Sequence, residues 1–188
     1  MSYVERRRFL WILLLAALAL LAIAASATTL ARLRFEELTE KSTAVARLRC
    51  LSKKSLWLNG EIWTDTDFKV IEQAKGALPA NVTVRTLGGT LGRLHSRVEE
   101  IPVFHPDEEA YLFLWGREGQ PFRVLAWSQG TFRIARDPRT GAETVTQDSA
   151  AAPLFDSQAG RFVHEGIRNL PLTAFQMKLR QALQREKQ

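Results

Sequence analysis

Residues 43–73 read TAVARLRCLSKKSLWLNGEIWTDTDFKVIEQ, and this segment has the clearest strand pattern of the chain. At its start, small and apolar residues take every second position: Ala44, Ala46, Leu48 and Cys50. Arg47 and Arg49 fall between them, which is the period-two pattern of a half-buried strand. Asn59-Gly60 follows a Leu-Trp-Leu run, and both residues of such a pair tolerate the positive φ of a type I′ turn. The sequence therefore predicts a β-hairpin with its turn at this pair.

The strand after the turn, from Glu61 to Gln73, alternates as well. One phase of the alternation holds Ile62, Thr64, Thr66, Phe68 and Val70. The other phase holds Trp63, Asp65, Asp67 and Lys69. An antiparallel sheet with one buried and one solvated face has this pattern. We therefore expect the second phase to lie on the outside of the domain.

Further short apolar runs continue the β pattern. They cover residues 82–87, 110–115, 122–127 and 131–135, with a weak run at 143–147. A loop from Gly88 to Pro106 separates the third strand from the fourth. Six or seven short strands with turns between them predict a mainly β chain that forms a small antiparallel barrel or sandwich. The OB-like barrel, with five strands in Greek-key order, fits best: a long curved hairpin, a third strand, an irregular crossing and further strands.

The predicted domain boundaries follow these patterns. Residues 28–42 form a short helical lead-in, 43–148 the β-barrel domain and 149–170 a flexible linker segment. Residues 171–188 form a C-terminal amphipathic helix, because apolar residues recur there at helical spacing. Thr173-Ala174-Phe175-Gln176 is a capping-box pattern at its start. We expect this helix to pack on the domain.

Residues 1–27 have the pattern of a signal peptide or membrane anchor. Three arginines precede an uncharged apolar run at 9–25, and Ala25-Ser26-Ala27 supplies the small residues that a signal peptidase reads. The apolar run is at the lower limit for crossing a bilayer as a helix, so an uncleaved N-terminal anchor helix stays an alternative. The chain is expected to be exported, periplasmic or extracellular, or anchored to the inner membrane through residues 9–25.

Composition narrows the classes of function. The chain has a formal net charge of +6, with its basic residues scattered along the sequence. Proteins that bind nucleic acid usually show a basic stripe with interleaved aromatic residues, so we expect no nucleic-acid partner. Cys50 is the only cysteine, which excludes an intramolecular disulfide. We expect it to be a small buried hydrophobe, with a reactive thiol or an intermolecular bridge as the alternative.

Residues that often carry chemistry occur here in patterns typical of loops and strand surfaces. His95 and His105, with the acidic residues 107–109, could donate to a metal, but the spacings that define zinc sites are absent. Asp65 and Asp67 could form a carboxylate pair for hydrolysis, although neighbours on one strand face usually form its polar surface. We therefore expect no catalytic residue, no metal and no cofactor.

Five residues are the best candidates for binding a ligand or partner: Trp63, Gly88, Gly89, His95 and Phe104. Trp63 falls on the polar phase of its strand, where an exposed aromatic side chain is available to a ligand. The two glycines permit positive φ or close backbone approach where the third strand ends. His95 and Phe104 lie in the loop that, in an OB-type barrel, runs near the face used for ligands.

A series of short motifs follows between Phe35 and Ile134. They are Phe35-Glu36-Glu37-Leu38, the strand Val45 to Cys50, Trp57 with Ile62-x-Thr64, Phe68-x-Val70-x-Glu72-x-x-Lys75-Gly76, Val82-x-Val84-x-x-Leu87-Gly88-Gly89, Pro102-x-Phe104-x-Pro106-x-Glu108-Glu109, Leu112-Phe113-Leu114 and Gln129-Gly130-x-Phe132-x-Ile134. Their order resembles a group of exported bacterial proteins that have no assigned activity. The strand order is also similar, more distantly, to netrin-like domains and tissue inhibitors of metalloproteinases, which are OB barrels. That similarity implies the fold alone, because the disulfide-tethered N-terminal cysteine of those inhibitors has no counterpart here.

The sequence predicts an exported, non-enzymatic binding domain that contacts a protein or an envelope polymer through a β-barrel surface. A membrane-tethered envelope assembly or scaffold protein is the first alternative, and it requires an uncleaved N-terminus. A hydrolase with carboxylate-based chemistry is the second alternative.

Overall fold

The structure of the chain is a computed structural model that describes residues 30–117 and 119–186. The predicted signal peptide or membrane anchor at 1–27, with its apolar run at 9–25, lies outside the described residues. None of the described helices is both long enough and apolar enough to cross a membrane. The described part of the chain is mainly β, as predicted, and is built on a large antiparallel sheet.

Twelve strands and two α-helices occur in the described residues. In chain order the strands are β1 Ala44–Leu58, β2 Glu61–Lys75, β3 Asn81–Leu87, β4 Gly89–Leu91, β5 Leu94–Ser96, β6 Glu109–Trp115, β7 Arg123–Val124, β8 Thr131–Arg136, β9 Glu143–Gln147, β10 Leu154–Asp156, β11 Arg161–Val163 and β12 Leu170–Pro171. The helices are α1 Phe35–Lys41 and α2 Leu172–Glu186. The main sheet has the order β12-β9-β8-β6-β1-β2-β3, and β7 pairs with β6. Two small hairpins, β4–β5 and β10–β11, lie beside it.

The predicted hairpin is confirmed, and its strands are longer than expected. β1 and β2 pair from Val45 opposite Lys75 down to the turn. Asn59 and Gly60 have φ angles of 52° and 83°, as a type I′ turn requires. A register shift follows Cys50, which is the geometry of a β-bulge and bends the strand.

The main sheet packs against apolar cores on both faces. One core joins residues of β1, β2, β3, β6 and β7 with Phe104. The other core includes Val45 and Phe132 of the sheet and is covered by α1 and α2. Alternate residues of β1 therefore face different cores, which is why Val45 is buried between Ala44 and Ala46. The alternation in the sequence of β1 indicated only the face that packs in the first core.

A closed sheet is not found among the described residues, so the OB-like barrel is not confirmed. A parallel bridge does join Val84 of β3 to Phe122, which directly precedes β7. The Phe122 N–H donates to the Thr83 carbonyl over 2.8 Å, and the Arg85 N–H donates to the Phe122 carbonyl over 2.7 Å. The centre of β3 therefore has backbone partners on both of its sides.

The predicted C-terminal helix is confirmed and packs on the domain. α2 buries four apolar residues at helical spacing: Leu172, Phe175, Leu179 and Ala182. Thr173 lies inside the helix, and Gln176 donates to the Tyr111 hydroxyl and to Glu72, each over 3.0 Å. The Tyr111 hydroxyl also donates to Glu72 over 2.5 Å. These bonds attach the helix to β2 and β6.

Two segments differ from the sequence-based expectation. The predicted strand at 122–127 is reduced to β7, because Ala126 and Trp127 take left-handed φ angles of 51° and 54° and lead into a 3-10 turn at Trp127–Gly130. The segment 149–170, expected to be a flexible linker, contains β10 and β11. A partly buried ion pair of 2.7 Å between Arg32 and Asp156 holds β10. Strands of three residues are too short to show a periodicity in the sequence.

Cys50 is fully buried in the first core, as predicted. Burial raises the pKa of its thiol, which keeps the reactive thiolate scarce. We expect an aromatic disulfide reagent to label the native full chain at least about tenfold more slowly than the urea-unfolded chain. Absorbance of the released thiolate measures both rates. Equal rates would contradict the buried position and favour the reactive-thiol alternative.

Candidate functional site

A cavity of about 1090 Å³ opens between the first hairpin, β3 and residues 87–104. We call it the cleft. Four hydroxyl side chains from the three strands line its floor: Ser55, Thr64, Thr66 and Thr86. Gly88, Gly89, His95 and Phe104, four of the five predicted binding residues, also line it. A second cavity of about 600 Å³, lined by Arg32, His164 and Lys178 among others, contains none of the five.

Hydrogen bonds hold β4 against the floor of the cleft. The Thr64 hydroxyl donates to the Gly88 carbonyl over 2.7 Å and lies 3.0 Å from the Ser55 hydroxyl. The Thr90 N–H donates to the Ser55 hydroxyl over 3.2 Å. Gly89 has a φ of 136°, and a Cβ at this position would collide with the hydroxyls of Thr64 and Ser55. Only glycine therefore lets β4 pack this closely on the hairpin.

His95 lies on β5 at the rim of the cleft. Its side chain is exposed, and its Nδ1 lies 2.9 Å from the Thr90 hydroxyl, so the ring is oriented by a direct cross-strand neighbour. A ring held in this way offers its other nitrogen to a ligand as a donor or an acceptor, depending on the tautomer.

Phe104 anchors the far wall of the cleft, which is formed by residues 97–104. Its side chain is only 2% exposed and packs edge-on against Phe68, with 5.0 Å between the ring centroids. Lys53 donates from Nζ to the Phe104 carbonyl over 3.0 Å, so β1 is bonded to this wall. The structure places Phe104 in the wall, and direct contact between its ring and a ligand stays a prediction.

Arg133 on β8 supports the same wall from behind. Its guanidinium donates to Asp148 over 2.7 Å and 2.9 Å, to Glu108 over 2.8 Å and to the Val103 carbonyl over 2.8 Å. It also lies over the Phe104 ring, 5.2 Å from the centroid. One side chain therefore fixes two carboxylates and two wall residues together.

The pKa values of the two carboxylates that contact Arg133, Asp148 and Glu108, are shifted in opposite directions. Burial raises the pKa of Asp148 above its ordinary value, and Arg133 acts against that rise. Burial also pushes the pKa of Glu108 upward, but hydrogen bonds from His105 and the charge of Arg133 outweigh it and leave the pKa lowered. Glu108 is therefore held in its charged form beside the guanidinium.

Trp63 does not lie in the cleft, and its predicted exposure is wrong. The side chain is half-buried, and the Arg123 guanidinium lies over its ring at 4.9 Å from the centroid. Its indole Nε1 is buried with no hydrogen-bond partner among the residues that the structure describes. Alternation along β2 does put Trp63 on the outer face, but a residue from a distant part of the chain covers it there. Trp57 and Trp115 are the more exposed tryptophans.

The two aspartates of β2, Asp65 and Asp67, accept hydrogen bonds from neighbouring strands on the outer face of the sheet. Asp65 accepts two hydrogen bonds of 2.6 Å from Arg85. Asp67 accepts from Ser52 over 3.2 Å and from Thr83 over 2.7 Å. These contacts are those of a strand surface held by cross-strand pairs.

The histidine and acidic residues considered as metal ligands are dispersed. Within residues 30–117 and 119–186, no group of three or more His, Cys, Asp or Glu side chains is placed to hold a metal ion. His105 contacts Glu108 over 2.9 Å at the surface. His95 lies on β5 and contacts Thr90.

Sequence reasoning missed the polar residues that build the cleft. Ser55 and Thr64 belong to the first hairpin, and their facing positions could be read from the Asn-Gly turn. That turn sets the register, so it also sets which hydroxyls meet across the hairpin. No pattern in the sequence indicated the role of Arg133, because its hydrogen-bond partners lie 15 to 30 residues away along the chain.

No family model, curated protein or solved structure matches this chain.

Proposed function

We propose that this chain is an exported, non-enzymatic binding domain that contacts a protein or an envelope polymer through the cleft. The observation that carries the proposal is the cavity itself, about 1090 Å³ in volume and lined by hydroxyl groups, backbone and both signs of charge. Binding sites in proteins are commonly concave and combine apolar walls with a few placed polar groups.

The construction of the walls supports binding as the role of the cleft. Hydrogen bonds of Ser55 and Thr64 hold the floor of the cleft in place. Hydrogen bonds from Lys53 and Arg133 hold its far wall. Walls fixed before a ligand arrives reduce the entropy that binding must overcome. The exposed His95 and Arg97 at the opening supply polar contacts that a ligand can reach.

We extend the proposal to an OB-like barrel around the first core. The strand pairings support this barrel. β1 pairs with β2 and β2 with β3, and a parallel bridge joins Val84 of β3 to Phe122. β7, which follows Phe122, pairs with β6, and β6 pairs with β1. In that arrangement the cleft lies at one end of the barrel, and mouths of barrels are frequent ligand sites.

Export belongs to the same proposal and rests on the sequence of residues 1–27. The membrane-tethered version differs only in whether the apolar run at 9–25 is retained. The N-terminal mass of the protein isolated from its own cells separates the two versions. A mass that begins at Thr28 supports the soluble form, and an intact N-terminus supports the tethered form.

Site-directed photo-crosslinking tests the proposed site. We expect a photoreactive residue at His95 of the full chain to form a covalent adduct in the native envelope. The same residue at Met177 is the matched control, because that side chain is also exposed but lies on α2, outside the cleft. Digestion of the adduct by a protease or by glycan hydrolases identifies the partner as protein or polymer.

The expected outcome is an adduct from His95 that is at least about tenfold more abundant than the adduct from Met177. Adducts of equal yield at both positions, or none at either, would contradict the cleft as the binding site.

A further inference from the structure

The second cavity, about 600 Å³ in volume, lies between the chain that leads into α1 and the segment that joins β11 to β12. Arg34 directly precedes α1, and Arg168 lies two residues before β12. Lys178 of α2 also lines the cavity. The site therefore combines three distant parts of the chain, and it shares no lining residue with the cleft.

Positive charge predominates on the lining of the second cavity. The lining contains four cationic side chains and two carboxylates: Arg32, Arg34, Arg168, Lys178, Glu36 and Glu165. Glu165 forms an ion pair of 2.5 Å with Arg32, which also pairs with Asp156 over 2.7 Å. Glu36 lies 3.8 Å from Lys178. Both carboxylates of the lining therefore already have a cation as their partner.

Arg34 and Arg168 are the two remaining cations of the lining. Neither forms an ion pair with any residue in the described part of the chain. The Arg34 guanidinium donates to the side-chain oxygen of Gln158, and the Arg168 guanidinium donates to the Ala150 carbonyl. Because both acceptors are neutral, these bonds orient the two guanidiniums without cancelling their charge. A guanidinium has further N–H donors, which stay free for a ligand.

Close backbone packing holds the segment that carries Arg168. Gly166, which also lines the cavity, lies so near to Ala150 that a Cβ on Gly166 would be 2.6 Å from the Ala150 Cα. The Gln147 N–H donates to the Ile167 carbonyl over 2.8 Å, and the Ile167 N–H donates to the Gln147 side-chain oxygen over 3.3 Å. The segment is therefore in place before a ligand arrives, which lowers the entropic cost of binding.

Apolar side chains form other parts of the lining. They are Leu33, Phe35, Leu154 and Ile167. Lys178 is directed over one of them, with its Nζ 4.9 Å from the centroid of the Phe35 ring. A cavity of this size with apolar walls and a few charged groups is typical of a site for a small organic molecule.

We propose that the second cavity binds the phosphate monoester group of an organic phosphate, with Arg34 and Arg168 as the residues that bind the anion. A single guanidinium already satisfies both oxygens of a carboxylate. A phosphate monoester has three terminal oxygens and a charge of about −1.5 to −2 near pH 7, so it can accept from two guanidiniums and balance both. The apolar side chains of the lining contact the organic part of the ligand.

Two sources can supply this group: a soluble organic phosphate and a lipid with a phosphate monoester headgroup. Calorimetric titration of the full chain in a mild non-ionic detergent distinguishes them. Glycerol 3-phosphate is the soluble probe, dihexanoyl phosphatidic acid is the lipid probe, and dihexanoyl phosphatidylcholine is the control for its acyl chains. We expect both phosphate monoesters to bind and the phosphatidylcholine to show no binding. Similar affinities for the two monoesters indicate a soluble ligand, and a preference for the lipid of at least about tenfold indicates a headgroup.

Substitution of the two guanidiniums tests the site itself. Arg34→Gln and Arg168→Gln are each expected to weaken the binding of glycerol 3-phosphate at least about tenfold, because each removes a charge-assisted hydrogen bond. Both side chains are exposed, so we expect both variants to fold. Arg180→Gln is the matched control, since Arg180 is exposed on α2 and lies outside the lining. It is expected to change the affinity by no more than about twofold.

Three results would overturn the inference. The first is the absence of binding by both phosphate monoesters, and the second is binding that Arg34→Gln and Arg168→Gln leave unchanged. The third is equal affinity for glycerate, in which a carboxylate replaces the phosphate. The cleft takes no part in this site, so the inference and the proposed function fail separately: the yield of the His95 adduct tests only the cleft.

Discussion

Replacing Phe175 with alanine is expected to lower the free energy of unfolding by about 3–5 kcal/mol. Phe175 is 0% exposed and is the central aromatic residue of the second core. Its ring centroid lies 5.0 Å from that of Tyr111, 5.2 Å from that of Phe132 and 5.8 Å from that of Phe35. The substitution would remove apolar burial and leave a cavity between α2, α1 and the sheet.

Pulse proteolysis of the full chain across a urea series measures this change. Met177→Ala is the matched control, because Met177 is two residues away on the same helix and 54% exposed. Its effect is expected to stay within about 0.5 kcal/mol. If the two variants unfolded at the same urea concentration, α2 would not be packed on the sheet through Phe175.

The first hairpin was predictable because every local signal in it agrees. The Asn59-Gly60 turn, the alternation before it and the alternation after it indicate the same register. The helix α2 was predictable for a similar reason, since its apolar residues keep helical spacing over about three turns. Long periodic segments carry enough residues to outweigh single exceptions.

The short elements were not predictable, because tertiary contacts determine them. β4 forms where Gly89 packs on the hydroxyls of the hairpin, which is a contact between distant residues. β7 ends at two residues because Ala126 and Trp127 take positive φ, a conformation that neither residue type favours. Such a conformation persists only where the surrounding packing imposes it.

The candidate site was predictable in part. Gly88 and Gly89 indicated a close backbone approach where β3 ends, and the structure places both in the cleft. The half-buried position of Trp63 was not predictable, because the alternation of one strand contains no information about Arg123, which covers it.

The wall of the cleft depends on Arg133, and Arg133→Gln is expected to destabilise the domain by about 2 kcal/mol. The substitution removes the hydrogen bonds to Asp148, Glu108 and the Val103 carbonyl and the contact with the Phe104 ring. It leaves Asp148 partly buried without its cation. Because these groups are partly exposed, the loss is smaller than for a fully buried ion pair. Arg136→Gln, on the exposed end of the same strand, is the matched control.

The free energy of unfolding of the wild-type chain and that of Arg133→Gln should differ by an amount that depends on pH, because the contribution of Arg133 is electrostatic. Arg133 helps to lower the pKa of Glu108 and acts against the rise that burial causes at Asp148. Its stabilising effect is therefore present while both carboxylates are charged and is lost as the pH falls through their titration range. We expect the difference between the wild-type chain and Arg133→Gln to be largest near neutral pH. It should shrink as the pH falls, first through the raised titration range of Asp148 and then through the lowered range of Glu108. Urea unfolding at each pH measures it, and hydrogen exchange at residues 98–105 should be faster in the variant. A difference that stays constant with pH would assign the role of Arg133 to packing on Phe104 instead of to its charge.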